Sequence, residues 1–208
     1  MTAAIHNLID SMDGIVYLTA ADGTILSIGK RNWNQFALEN GGAALCDGNG
    51  VIGRSMFDFI SGDDVREAYR GYFAALRSGS VRRARLMSRC DSPAVRRELW
   101  IVITPVQQDS AIDGFLIQSL TVAESVRPPV DLFDFQALLE RSRRDKALPI
   151  LAMCSYCQDV RYPSGSSERH GTWLPAEDYY HLGGNANVRI SHGICPACEE
   201  QSAEAIAC

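Results

Sequence analysis

Residues 14–29 read GIVYLTAADGTILSIG, and this stretch decides the fold. Gly14 to Leu18 and Ile25 to Ile28 form two short apolar runs, and Asp22-Gly23 between them suits the positive backbone angles of a tight turn. An antiparallel hairpin is therefore expected. Before it, Ile5, Leu8, Ile9 and Met12 recur at helical spacing and predict an amphipathic opening helix. After it, short helical pieces are expected around Trp33, Phe36 and Ala37 and around Met56 to Ile60, separated by the Gly-rich loop GGAALCDGNG at 41–50. The clearest helix follows, with Asp63 or Asp64 near its start, Val65, Ala68, Tyr69, Tyr72, Phe73 and Leu76 on one face, and Gly79 just past its end. Three strands complete the segment. In the first, Ala84, Leu86, Ser88 and Cys90 alternate with Arg83, Arg85, Met87 and Arg89; the others run from Glu98 to Val106 and from Gly114 to Val122.

Two strands, several short helices, one longer helix and a three-stranded meander give an α+β domain: a five-stranded antiparallel sheet with helices on one face. This order resembles the PAS domain. Residues 14–29 look like its opening hairpin, and VIGRSMFDFISGDD at 51–64 is similar to the Gly-x-x-x-x-Asp-Phe-Ile stretch that leads into the family's long helix. The resemblance covers residues 1–123. It implies a sensory domain with a cavity between sheet and helices for an unidentified small-molecule ligand, and a surface for homodimer formation. Trp33, Phe36, Phe57, Phe59, Tyr69, Phe73, Leu86, Trp100 and Ile117 are the candidate cavity or core residues. For each, a packed core side chain is the plainer reading, because sequence does not separate a cavity wall from a filled core. Covalent flavin chemistry is not expected, since Cys46 lies in Cys-Asp-Gly-Asn-Gly and not in an Asn-Cys-Arg motif. Nor is haem, since no histidine stands between His6 and His170, leaving only His6, Cys46, Cys90 or Met56 as axial ligands.

The arginines between Arg82 and Arg97 alternate with apolar residues, which predicts the solvent face of a sheet strand. The linker AESVRPPV follows, and beyond it Leu132, Phe135, Leu138 and Leu139 restore helical spacing ahead of the charged run ERSRRDK. Residues 124–148 are thus read as linker and connecting helix, either docking on the PAS-like sheet or belonging to the core of the segment that follows.

That segment, residues 149–208, carries the strongest chemical signal. Of seven cysteines, Cys46, Cys90 and Cys208 stand alone, while Cys154-Ser-Tyr-Cys157 and Cys195-Pro-Ala-Cys198 form two Cys-x-x-Cys knuckles. Each lets two thiolates chelate one metal, and four sulfurs satisfy tetrahedral zinc. Some 60 residues build a poor core unaided, and a zinc site supplies the missing folding energy. With every position closed by sulfur, the zinc is expected to be structural. His192 in place of a cysteine is the lesser ligand alternative, and a thiol-redox or zinc-responsive switch is the alternative function. MCSYCQDVR, GTWLPAEDYYH and SHGICPACEE resemble the cysteine-rich, zinc ribbon-like C-terminal segment found behind PAS, receiver or kinase modules in bacterial signalling proteins. Val160, Arg161, Trp173, Glu177, Tyr179, Ser191, His192, Gly193 and Pro196 take the places of that pattern, and PSGSSERH at 163–170 departs from it as an expected exposed excursion. Trp173, Glu177, Tyr179 and His192 are read either as a protein-binding surface or as a small core around the zinc.

The chain of 208 residues has a net charge of −5, and from residue 149 onward three basic residues face seven acidic ones. Nucleic acid, which selects basic faces, is not expected as a partner. Nothing resembles a signal peptide or a run of 18 apolar residues, so a cytoplasmic protein is expected, without a membrane partner. No Gly-x-Ser-x-Gly, His-Glu-x-x-His, phosphate loop, kinase or cyclase segment occurs, so no enzyme is expected. A sensory or regulatory protein acting through a signalling partner or a change of oligomer is the resulting expectation. A nucleic-acid-binding regulator ranks last.

Overall fold

The structure, a computed structural model, describes residues 3–108, 111–162 and 171–206. The expected excursion at 163–170, with His170, and Cys208 lie outside the described residues. The opening hairpin forms as its residues dictate: β1 (Ile15–Ala20) and β2 (Ile25–Ile28) pair antiparallel, with Tyr17 opposite Ile28 and Leu18 opposite Ser27. At the turn Gly23 takes a φ of 91°, which a side chain would resist. Asp22 accepts a hydrogen bond from the Thr24 N–H at 2.8 Å, and that bond holds its carboxyl below the usual range.

β1 pairs along its other edge with β5 (Ala111–Val126), which pairs with β4 (Val95–Gln108), and β4 pairs with β3 (Ala84–Arg89). The resulting sheet is antiparallel throughout, in the order β2-β1-β5-β4-β3. β4 and β5 extend past the runs expected from sequence, because their outer ends continue to pair with one another as far as Val95 and Val126. One cross-strand ion pair there, Arg97 Nε to Glu124 Oε2 at 2.9 Å, joins residues in register.

One face of this sheet is covered by α2 (Lys30–Glu39), two 3-10 turns at Ala43–Gly48 and Met56–Phe59, and α3 (Asp63–Arg77). α3 buries Val65, Tyr72, Phe73 and Leu76, the expected stripe, and its acidic first turn and Arg77 in the last complement the helix dipole. Phe73 stacks on Phe115 of β5 with ring centroids 4.0 Å apart, at the centre of the core. The opening helix α1 (Ala3–Ser11) buries Ile9, while Ile5 and Leu8 stay 40% and 63% exposed, so half of its apolar stripe faces outward.

The remaining elements are a 3-10 turn at Asp131–Phe133, α4 (Phe135–Arg144), β6 (Ile150–Cys154), β7 (Val160–Arg161), β8 (Trp173–Leu174), α5 (Ala176–His181), β9 (Arg189–Gly193) and α6 (Pro196–Glu204). The strands form a second sheet, β8-β7-β6-β9, in which β6 and β9 run parallel. Leu132, Phe133 and Leu138 are buried with Leu151, Met153, Val160 and Tyr179, so the connecting helix belongs to this module's core. The module also shares the first core: Cys154, Tyr156, Cys195 and Cys198 lie in one buried cluster with Tyr72, Leu86 and Phe115.

That junction corrects the reading of the arginines. Arg85 does face outward, lying 3.8 Å over the Trp100 ring. Arg89 and Arg97, however, expose only about a tenth of their side chains. Arg89 is covered because the C-terminal module packs on the β3 edge; Arg97 lies against Glu124, the Cys90 carbonyl and the Phe36 ring. Among the described residues no helix is long and apolar enough to cross a membrane.

Candidate functional site

Parallel pairing of β6 with β9 brings the two knuckles together. Their C-terminal ends point the same way, Cys154 lies opposite Gly193, and Cys195 follows two residues beyond. The first knuckle turns tightly after Cys154: the Gln158 N–H donates to the Cys154 carbonyl at 3.0 Å, and Gln158 takes a φ of 62°. The second opens α6, with Pro196 at the helix start, where its missing N–H costs nothing, and Cys198 in the first turn.

The four sulfurs lie within 4.8 Å of one another, and Cys154, Cys195 and Cys198 are buried. Cys157 Sγ and Cys195 Sγ are 3.7 Å apart. Four sulfurs at ~2.3 Å from a tetrahedral ion are separated by ~3.8 Å, so the set fits a metal ion. Cys46 and Cys90 stand apart from it. The Cys195 N–H donates to Cys154 Sγ at 3.4 Å, a contact that favours a thiolate. Thiol donation from Cys157 and Cys198 holds Cys154 down, while closeness to Cys154 pushes Cys157 and Cys198 up. For all four to ionise together, a cation would have to sit between them.

The first knuckle is bonded to the five-stranded sheet and to α3. The Arg89 N–H donates to the Tyr156 carbonyl at 2.6 Å, and Arg89 Nη1 donates to the Cys157 carbonyl at 3.0 Å. The Asp91 N–H donates to Gln158 Oε1 at 2.9 Å, and the Tyr72 and Tyr156 hydroxyls are 3.2 Å apart. Beneath these bonds lies a fully buried carboxylate. Asp91 is paired with Arg89 and, at 2.9 Å, with Arg127, which in turn holds Glu177 at 2.6 Å.

Between the sheet and its covering helices lies an apolar cavity of about 260 Å³, walled by Tyr17, Ile25, Trp33, Leu45, Val51, Met56, Phe59, Ile60 and Tyr69. Burial pushes the Tyr17 and Tyr69 hydroxyls up. Of the residues expected from sequence, Trp33, Phe59 and Tyr69 stand on this wall. Phe57 packs edge-on against Phe73, while Phe73 and Ile117 are fully buried in the filled core. Phe36 lies instead in a groove between α2 and the far end of the sheet, and Leu86 and Trp100 in a cleft between β3 and α6. The alternation in β3 and β4 explains Trp100: opposite Met87, it occupies the face turned away from the helices. Tyr17, Leu45 and Val51 are wall residues that sequence reasoning did not single out. Tyr17 was legible in principle, because in the hairpin it falls on the same face as Ile15 and Thr19.

The four residues read in the C-terminal module as surface or small core separate. Tyr179 is 7% exposed and donates to the Asn185 carbonyl at 3.2 Å, and Trp173 packs half-buried against the shared core. Glu177 is taken up by Arg127, and His192 faces a second groove, between the module and the helices that cover the five-stranded sheet. Burial keeps the His192 imidazole below its usual pKa, hence neutral at neutral pH.

No family model and no curated protein matches the chain. Among solved structures it is similar to the PAS domain of BvgS from Bordetella pertussis, with a TM-score of 0.45 at 11% identity, covering 67% of this chain and 96% of that one. It is similar also to the PAS domain of an HTR-like protein from Haloarcula marismortui, with a TM-score of 0.36 at 19% identity, covering 58% and 90%. A sensory box sensor histidine kinase from Vibrio cholerae gives a TM-score of 0.36 at 10% identity, again covering 58% and 90%.

Proposed function

We propose that this protein is a sensory or regulatory component of bacterial signal transduction, whose PAS-like domain binds a small molecule and whose C-terminal module is held by one structural zinc ion. The observation that carries the reading is the apolar cavity of about 260 Å³ between sheet and helices, of a size for one or two rings. Zinc is the ion that four clustered sulfurs suit best, and a site closed by sulfur leaves no coordination position for substrate or water. The protein acts by binding, not by catalysis, in a reducing cytoplasm that keeps its knuckle thiols available. Its partner is a second copy of the chain or a signalling protein, seated on the sheet face turned away from the helices. Leu18, Met87, Trp100, Val102, Val106 and Leu116 place apolar surface there.

Metal analysis and native mass spectrometry of the purified protein test this together. One zinc per chain is expected, and Cys154→Ser should lose the metal. A well-folded metal-free protein whose knuckle thiols all react freely would sink the zinc reading and favour a thiol-redox switch.

A further inference from the structure

The cavity and the groove beside it share three wall residues, Phe59, Ile60 and Tyr69. Inside that partition are Trp33 and Tyr17; outside it are Phe135 and Leu139 of α4, Tyr156 of the first knuckle and His192 of β9. Phe59 is 43% exposed and ends a single 3-10 turn. The two spaces differ in chemistry: the inner one is lined by apolar and aromatic side chains, while the outer one presents a neutral imidazole for which, among the described residues, no hydrogen-bond partner is found. A neutral imidazole both donates and accepts.

Resting on the ligand-binding reading above, we propose that cavity and groove are one binding site for an uncharged, ring-bearing small molecule with a terminal hydroxyl, its rings against Trp33 and Tyr69 and its hydroxyl bonded to His192. The C-terminal module thereby completes the site of the PAS-like domain. Its histidine sits where it does because β9 packs on the start of α3: a Cβ at Gly62 would come within 2.6 Å of the His192 carbonyl oxygen. Ligand binding and the seating of the zinc module are then linked, since a ligand that touches both favours the docked state.

Equilibrium dialysis of the full-length, zinc-loaded protein against 4-phenylphenol and biphenyl, two probes differing by one hydroxyl, tests the idea. One 4-phenylphenol per chain is expected, bound about tenfold more tightly than biphenyl, the scale of one hydrogen bond to a neutral group. His192→Phe, which keeps a ring of similar size, should bring the ratio close to one, and His192→Gln should retain most of it. Leu139→Trp narrows the groove from an exposed position and should weaken 4-phenylphenol by a similar factor, which keeps the proposal open to refutation should His192→Phe fail to load zinc. Val51→Trp fills the cavity and should abolish both probes. An unchanged ratio in His192→Phe, with Val51→Trp still abolishing binding, overturns this proposal and leaves the cavity reading standing. Binding that survives Val51→Trp overturns the single site. Failure of both probes to bind the wild type overturns both readings.

Discussion

Several polar contacts converge on Asp91, whose carboxylate has no exposure to solvent. It accepts from Arg89, from Arg127 and from the backbone N–H of Arg97, while its own N–H bonds Gln158 of the first knuckle. Removing one member of a buried ion pair strands the others at a cost of about 3–5 kcal/mol. Asp91→Ala should accordingly lower the unfolding free energy by about that amount in urea titrations, and a change under 1 kcal/mol would contradict the buried network. Sequence gave no sign of this site, because Asp91, Arg127, Gln158 and Glu177 are far apart along the chain. Glu177 was legible as part of a motif, and the structure adds that it pairs with Arg127 at 2.6 Å.

At the scale of elements, the start of α3 and the strand β9 meet at Gly62, which has a φ of 91°. Gly62→Ala would require an unfavourable backbone conformation, about 1–3 kcal/mol, and would also press a methyl group on the His192 backbone. Lower thermal stability, with faster amide exchange confined mainly to β9 and the first turn of α3, is the expected result. The outward sheet face supports a different expectation. Met87, 39% exposed on the edge strand, contributes little to the core, so Met87→Glu should reduce self-association in sedimentation while leaving the melting temperature nearly unchanged. An unaltered association constant would move the interface elsewhere. α3 was legible in full, since its stripe of Val65, Tyr72, Phe73 and Leu76 follows one period; α1 was legible only as a helix, because periodicity does not say that Ile5 and Leu8 would remain open.

For the whole molecule, the knuckles are part of the larger core, so a metal ion held by them would be coupled to the fold of both halves. Stripping the ion with a strong chelator should raise amide exchange in β6, β7 and α6 and also at Arg89 in β3, while β1 and β5 keep their protection; exchange confined to residues beyond 149 would refute the coupling. Acid should act in the same sense. Binding requires thiolates, so protons compete with the metal, and the metal-dependent part of the stability is present at neutral pH and lost as pH falls. A melting temperature that falls with acidification in the zinc-loaded protein, and falls less in the stripped one, is the measurement that checks it.

By itself the sequence determined the hairpin at Asp22-Gly23, the face of α3, the succession of five strands along the chain and the four cysteines placed to hold a metal ion, because each is written in local periodicity or fixed spacing. Only the tertiary structure decided which aromatics wall the cavity, that Arg89 and Arg97 turn inward, that α4 joins the second core, and that His192 faces the helices of the N-terminal half. Those outcomes depend on how elements far apart along the chain pack against one another. Packing is a relation between distant surfaces, and an arginine beside a buried carboxylate 36 residues away reads, along the chain, the same as an arginine in water.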